Sequence, residues 1–421
     1  MKKVITYGTY DLLHHGHIKL LERAKALGDW LIVGVTSENF DRIRGKINNA
    51  QSLIERVKAV EKTGIADEII VEEYEGQKID DIIKYGIDIF TVGSDWVGKF
   101  DYLKKYCDVV YLDRTQGISS TDIRAKNSKL RIKIIGDAEN NKVKKFIGES
   151  KYVNGVSIAD NEKYDAVYVM SDPSEHYENC KKALKNGKHV LCESPVAETA
   201  EQANELFDIA EKNGLILMDG IKTAYSTAYH RMLLLARSQK IGEIVSVDAT
   251  CTSLKNIETD RCWNSLCEWG TTAMLPIFQL FGLDYDDAKI TALFPNKDRK
   301  NDLFAKIDFT YPSSVASIKI GQGIKSEGEL IISGTKGYIY VPSPWWKNDY
   351  FEIRYENFNE NKRYFYPIDG EGIRQEIFAF VNSIIKKKNL SNISKSVSAK
   401  MSDIIAKYNK GEYSLLTLGN R

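Results

Sequence analysis

The chain alternates short apolar runs with amphipathic stretches from its first residues onward. The runs at 4–7 (VITY) and 30–35 (WLIVGV) have the length and continuous apolar character of strands buried on both faces. Between them, HIKLLERAKAL carries apolar residues at helical spacing, so the segment predicts a strand, helix and strand in succession. EIIV (68–71), a helix near Gln77 to Tyr85, DIFTVG (88–93) and CDVVYL (107–112) continue the alternation. About the first 130 residues therefore predict a parallel sheet flanked by helices.

A polar stretch, RAKNSK (124–129), interrupts this pattern, and RIKIIGDAEN then opens a second series with an apolar strand running into a glycine. DAVYVM (165–170), a helix through Tyr177 to Leu184, KHVLCE (188–193), a helix through Ala200 to Lys212 and LILMDG (215–220) follow. After about residue 240 the runs lengthen and alternate apolar with polar positions, as in EIVSVDATCTS, LFAKIDFTY and SVASIKIG, which predicts an antiparallel sheet. Helical segments around 371–387 and 395–409 close the chain. The expected division is 1–128 and 131–421, the latter split into 131–222 and 223–421.

Composition changes this picture little. Of 421 residues, 43% are hydrophobic and 28% charged, the balance of a soluble globular protein of two or three domains. Lys and Arg (59) nearly cancel Asp and Glu (58), so no nucleic-acid or anionic-membrane partner is expected and any phosphate chemistry is local. The N-terminal apolar run breaks after four residues, and no run approaches the ~20 residues of a membrane span, so a cytoplasmic location is expected. The six cysteines are scattered, without a Cys-x-x-Cys pair or a histidine at metal-ligand spacing, which predicts free, mostly buried thiols and no protein-held metal.

Chemistry concentrates in GTYDLLHHGH (8–17), where His14, His15 and His17, half of the histidines, fall within four positions directly after the first strand. Ligands of parallel sheets sit at the carboxyl ends of strands, where loops lead into helix starts. A helix start offers unpaired N–H groups and a positive dipole end suited to phosphate. Imidazoles placed there donate hydrogen bonds to charge developing on a phosphoryl group. His14 and His17 are three apart, so both face one point if helical geometry begins nearby.

GTYDLLHHGH resembles the signature Gly-x-(Phe/Tyr)-Asp-x-x-His-x-Gly-His of the cytidylyltransferase superfamily, and RTQGISST (114–121) resembles its second signature. The match runs from residue 1 to about 126 and is nearest the bacterial glycerol-3-phosphate cytidylyltransferases. The resemblance implies an in-line attack by a phosphate oxygen of glycerol 3-phosphate, or a similar small polyol phosphate, on the α-phosphorus of CTP, with pyrophosphate leaving. It implies His14, His17, Lys46 and Arg114 as catalytic residues. Gly8, Thr9, Tyr10, Gly16, Arg44, Asp95, Ser119, Ser120 and Thr121 would bind the nucleotide, with Gly16 letting backbone and triphosphate approach closely. Mg²⁺ is expected to accompany CTP.

Plainer readings stand beside these roles. Arg44 and Lys46 also read as a solvated basic stretch, Asp95-Trp96 as a strand-end turn, and Asp11 as a cap of the following turn. His15 falls at the variable position of the signature and reads as incidental. Relatives carry an arginine where this chain has Gly64, so Arg56 is the expected substitute and, with Trp96, a substrate contact.

From 131 onward the chain resembles the Gfo/Idh/MocA oxidoreductases, through YDAVYVMSDPSEHYENCKKALKNGKHVLCESP, KIGEIVSVDAT and the helix ending FQLFG. The expected fold is α/β: an N-terminal Rossmann-like nucleotidyltransferase domain, then a second Rossmann-like domain with an open, mainly antiparallel α+β sheet domain. The oxidoreductase chemistry is poorly supported. In GDAENN only Gly136 of the glycine fingerprint is kept, and 28 positions separate Gly136 from Tyr164, too few for the whole adenosine-side platform. Ser194 follows Glu193 where the family has lysine, and Thr272 stands at the family's histidine. Lys222 is the one candidate replacement, and His176 and His189 read as structural. NAD(P) binding is therefore doubtful. The expectation is a cytidylyltransferase whose second part is silent and serves dimerisation, a homodimer through its sheet, or partner binding. The alternatives are a bifunctional enzyme that also makes the polyol phosphate by NAD(P)-dependent chemistry, and a binding protein with neither activity. The implied product, CDP-glycerol, would feed teichoic acid or capsule.

Overall fold

Five parallel strands form the first sheet: β1 (Lys3–Gly8), β2 (Trp30–Thr36), β3 (Glu68–Glu72), β4 (Ile89–Gly93) and β5 (Asp108–Leu112), in the order β3-β2-β1-β4-β5. The computed structural model describes residues 1–37, 40–41, 51–74, 76–113, 130–153, 155–254, 264–295, 301–366, 368 and 370–418. Within it, Met1–Ser128 and Lys151–Gly155 make one compact unit, and Lys129–Ser150 with Val156–Arg421 the other. The polar stretch at 124–129 lies outside the described residues.

β1 and β2 are central, and their side chains are covered on both faces, which is why they read as unbroken apolar runs. Val4, Leu31 and Val33 pack with Leu21 and Val60 on one face, and Ile5 and Ile32 with Phe90 and Leu103 on the other. Burying one such side chain stabilises the fold by about 2 kcal/mol. The chain leaves β1 toward β2 and β3, then returns to β4 and β5 on the other side. This reversal makes the β1/β4 carboxyl edge the topological switch point, the place where ligands of such sheets bind.

The second unit contains a parallel sheet of β6 (Leu130–Gly136), β7 (Val156–Ile158), β8 (Ala166–Met170), β9 (His189–Glu193) and β10 (Leu217–Gly220), ordered β10-β9-β8-β6-β7. Its helices start where local chemistry dictates. Asp172 caps the helix Pro173–Lys185, whose first residue needs no N–H partner, and Thr199 caps Ala200–Lys212.

The third sheet has nine strands: β11 (Ile244–Ser253), β12 (Asp287–Phe294), β13 (Phe304–Thr310), β14 (Val315–Gln322), β15 (Leu330–Gly334), β16 (Tyr338–Val341), β17 (Tyr350–Arg354), β18 (Lys362–Phe365) and β19 (Ser414–Thr417). It is mainly antiparallel but mixed. β11 runs parallel to β14, because the meander β12-β13-β14 brings β14 back beside it, and the last strand β19 lies parallel to β12. The C-terminal helix Lys395–Asn409 returns to the second sheet's core, where Ala399 packs with Leu206 and Phe207. Among the described cysteines all are free, and only Cys107 is partly exposed. No described helix is long and apolar enough to cross a membrane.

Candidate active site

The loop after β1 reverses direction through two non-glycine residues in the left-handed region, Tyr10 (φ 52°) and Leu12 (φ 48°). Such a backbone costs about 1 kcal/mol or more per residue and persists only where its surroundings hold it. The brace is Arg56. Its side chain is fully buried, its Nη1 donates to the carbonyls of Thr9 and Thr36 at 2.8 Å, and its Nε donates to the carbonyl of Gln51 at 3.2 Å. Asp41, equally buried, balances its charge at 3.4 Å and accepts the Thr9 hydroxyl at 3.1 Å. Asp11 accepts the Gln51 N–H at 3.0 Å, while the Leu12 N–H donates back to Gln51 Oε1 at 2.7 Å.

The expectation that Arg56 contacts the acceptor is thereby corrected. A guanidinium committed to three backbone carbonyls inside the fold positions the loop and does not present a phosphate clamp. Gly64 has a structural reason as well: two residues past the Lys62 cap of the helix Leu53–Glu61 it is left-handed (φ 66°), a conformation an arginine adopts only with strain.

His14, not Asp11, caps the helix His15–Lys25. Its Nδ1 accepts the Gly16 N–H at 3.1 Å, and its own N–H points to His17 Nδ1 at 3.5 Å. The imidazoles stack with centroids 3.9 Å apart and planes 19° from parallel. An Nδ1 that accepts leaves the proton on Nε2, so the cap sets the donor tautomer of both rings. Buried Tyr10 meets His17 edge-on at 5.7 Å from below. His15 is exposed.

The two glycines serve these rings. A Cβ on Gly16 would stand 3.0 Å from His14 Cε1, and one on Gly8 would stand 2.8 Å from the Tyr10 ring. Gly16 thus makes room for an imidazole, where sequence reasoning assigned it to the approach of triphosphate. Asp95 is exposed and Trp96 half-buried in the turn Ser94–Trp96 that follows β4, across the switch point from the histidines. Trp96 packs on Phe100 at 5.8 Å. Arg44, Lys46, Arg114, Ser119, Ser120 and Thr121 lie outside the described residues.

Sequence reasoning missed Asp41 and a buried group on the opposite face. Lys78 pairs with Glu72 at the end of β3 and lies 4.7 Å over the Tyr7 ring, and Tyr7 donates to Asp81 at 2.9 Å. Burial, and then the charge and hydrogen bond of Asp81, raise the Tyr7 hydroxyl above its ordinary range. Neither signal was readable in one sequence, because a single charged residue without its spatial partner looks solvated.

In the second unit the loop after β6 satisfies its own donors. Asp137 Oδ1 accepts the Glu139 N–H at 2.9 Å, and Asn140 Oδ1 accepts the Lys142 N–H, the second residue of the helix Asn141–Ser150, at 2.8 Å. Gly136 is required for packing, since a Cβ there would meet the Met170 carbonyl at 2.5 Å. Glu193 accepts the Tyr168 hydroxyl at 2.5 Å. Lys142 reaches Glu268 at 3.2 Å in the wide helical turn Leu266–Gly270, and Thr272 follows in the next helix.

Lys222 is not without a structural duty, because it donates to Glu371 at 2.6 Å. His176 is fully buried between the carbonyls of Pro195 and Ser171, and His189 accepts the Ile216 N–H. The adenosine side is less truncated than the spacing implied: β7 is present, and Asp160 stands exposed just beyond it.

The family model described as Cytidylyltransferase-like matches residues 5–126, and the one described as Oxidoreductase family, NAD-binding Rossmann fold, matches residues 119–221. Glycerol-3-phosphate cytidylyltransferase of Bacillus spizizenii is 53% identical over 124 residues, 30% of this chain and 95% of that protein. The scyllo-inositol 2-dehydrogenase (NADP(+)) of Bacillus subtilis is 29% identical over 142 residues, 31% of this chain and 43% of that protein. A 3-ketoreductase from Actinomadura kijaniata, solved with TDP-benzene and NADP in an open conformation, aligns with a TM-score of 0.58 at 18% identity over 69% of this chain and 100% of that one. At that identity the likeness is one of fold.

Proposed function

Because this chain belongs to the glycerol-3-phosphate cytidylyltransferase family through its first unit, we propose that it transfers the cytidylyl group of CTP to glycerol 3-phosphate and releases pyrophosphate. The observation that carries this reading is the stacked His14/His17 pair at a helix start beside the switch point. An acceptor phosphate oxygen forms the new bond to the α-phosphorus as the bond to pyrophosphate breaks. The Nε2–H groups of His14 and His17 donate to the α-phosphate oxygens, where negative charge grows. The Arg56–Asp41 brace and the Tyr10 floor hold the rings before substrate arrives, so no reorganisation is needed at the reacting step. Lys46, Arg44, Arg114, Ser119, Ser120 and Thr121 are assigned to the triphosphate, and Thr9, Asp95 and Trp96 to the rim of the site. Among the described residues no three acids, histidines or cysteines could hold a metal ion. Mg²⁺ would arrive on the triphosphate and neutralise its charge.

The functional units are taken as 1–128 and 131–421, the second comprising 131–222 and 223–421. NAD(P) fits the second unit poorly. Asp137 and Asn140 occupy the N–H groups a pyrophosphate would need, exposed carboxylates of Asp137 and Glu139 repel it, and Ser194 and Thr272 replace the proton-transferring groups. A silent unit that dimerises through its sheet is the favoured reading, with Val315 and Tyr338 exposed on the side opposite buried Ala316 and Ile339. The bifunctional reading draws on Asp160, whose place after β7 suits a ribose diol.

The test is pyrophosphate release from CTP and Mg²⁺ with glycerol 3-phosphate, glycerol 2-phosphate, ribitol 5-phosphate, erythritol 4-phosphate or phosphocholine. Turnover with glycerol 3-phosphate is expected. Turnover with another acceptor alone would reassign the substrate, and silence across the panel in folded protein would overturn the proposal. Retention or fluorescence enhancement of NADH by the full chain would revive the bifunctional reading.

A further inference from the structure

Three lysines from three separate elements of the second unit converge on one carboxylate. Lys222, just after β10, donates to Glu371 Oε2 at 2.6 Å, and Lys145 of the helix Asn141–Ser150 donates to Oε1 at 3.1 Å. Lys347, in the turn Trp345–Lys347 between β16 and β17, reaches Oε1 at 3.4 Å. Glu371 is itself left-handed (φ 54°), between Gly370 (φ 73°) and Gly372 (φ 91°). Gly372 is sterically required, since a Cβ there would meet the Lys222 backbone carbonyl at 2.6 Å. The chain thus strains a three-residue turn to hold a carboxylate among three ammonium groups.

Among the described residues, Arg374 pairs with Glu149 at 2.9 Å and Lys142 with Glu268 at 3.2 Å. Burial and the nearby Glu193 push Glu376, beside Lys222, well above the carboxylate range and favour its neutral form. Among the described residues, Glu371 is the one carboxylate in ion-pair contact with these three ammonium groups, whose lysines are between 29% and 54% exposed. An ordinary ion-pair network would be matched charge for charge.

We propose that Lys145, Lys222 and Lys347 form a binding site for the phosphate of a small phosphomonoester, with Glu371 as the internal anion that it displaces. A phosphate dianion supplies one oxygen per lysine and two negative charges. Lys222 precedes Thr223 and Lys347 follows Trp346, and the Thr223 hydroxyl donates to the Trp346 carbonyl at 2.7 Å, so two of the lysines stand on backbone segments tied to each other. The proposal draws on the function above only in choosing glycerol 3-phosphate as a probe.

The test is residue-resolved acylation of lysines in the full chain, read by mass spectrometry, in inorganic phosphate, glycerol 3-phosphate or glycerol, each against chloride of equal ionic strength. Labelling of Lys222 and Lys347 is expected to fall several-fold in phosphate and in glycerol 3-phosphate but not in glycerol, while Lys306 on the third sheet is unchanged. Glu371→Gln should bring the same protection at lower phosphate concentration, because the competitor is gone. Unchanged labelling in both the wild type and Glu371→Gln would overturn the site. Protection by inorganic phosphate but not by the ester would overturn the phosphomonoester assignment. Because the readout is local to these lysines, failure of cytidylyl transfer at the first unit leaves the result interpretable.

Discussion

At the end of β1 the helix start is given to two imidazoles, whereas at the end of β6 it is taken up by the chain itself. Both loops leave a central parallel strand and enter a helix, the arrangement that suits phosphate. In the first unit the buried charges lie behind the loop, where Arg56 and Asp41 fix its backbone and leave its edge to donors. In the second, Asp137 and Asn140 fold onto the donors, and lysines and glutamates pair across the cleft. Helix starts of one kind can therefore bind or be sealed, and what decides is where the side chains of the loop find their partners.

The largest expected effect breaks the first half of this contrast. His17→Ala removes one donor to the α-phosphate and should lower kcat for pyrophosphate release by a factor of about 10²–10³. His15→Ala should leave the rate unchanged. Equal losses in the two variants would mean that the cluster acts through helix stability and not through aimed donors.

Next comes the brace. Arg56→Met removes the guanidinium that stands 3.4 Å from buried Asp41 and frees the Thr9 and Thr36 carbonyls. It should destabilise the first unit by about 3–5 kcal/mol in urea unfolding. If Arg56 were instead an acceptor contact, the loss would appear in KM with stability intact.

How far these positions could be read in advance depends on the range of the forces involved. Nearly every strand of the two parallel sheets was legible, since a strand buried on both faces must be apolar throughout. β7 and β19 were not, because strands of three and four residues at sheet edges carry little pattern. His14 and His17 were legible from density and spacing. The meaning of Arg56 was not, since its partners at Thr9, Thr36 and Asp41 come together only in three dimensions. Lys222 stood out in the sequence as a candidate replacement for the missing lysine, but its partner Glu371 lies 149 positions away.

Acidity sharpens the second half of the contrast. Burial raises the Asp219 carboxyl from 3.8 to about 6, against the opposing influence of the nearby Ser398 and Ser194 hydroxyls. Because the folded value lies above the unfolded one, this contribution is complete below pH ~4 and is lost as pH rises through about 6. Asp219→Asn should therefore raise the stability of the second unit near pH 8, by on the order of 2 kcal/mol, and flatten its profile between these limits. Glu371 has the opposite sign. Burial opposes its ionisation, but Lys222, then Lys145 and Lys347, hold it at about 2, so its contribution is present above pH ~4.5 and fades as pH falls toward 2. Urea midpoints across pH for the wild type, Asp219→Asn and Glu371→Gln separate the two.

The smallest effect concerns Gly64. Nothing lies within 4 Å of a Cβ built there, so Gly64→Arg meets no clash and pays only for the left-handed backbone, about 1 kcal/mol. Restoring the arginine that relatives carry then asks whether the glycine was chosen for the helix end or for the acceptor. A lower KM for glycerol 3-phosphate with kcat unchanged would show that the loop accepts the lost phosphate contact without rearrangement, and that the brace and the clamp are separate parts. An unchanged KM, with only the small stability loss, would mean that this chain recognises its acceptor elsewhere. The helix end would then be sufficient reason for the glycine.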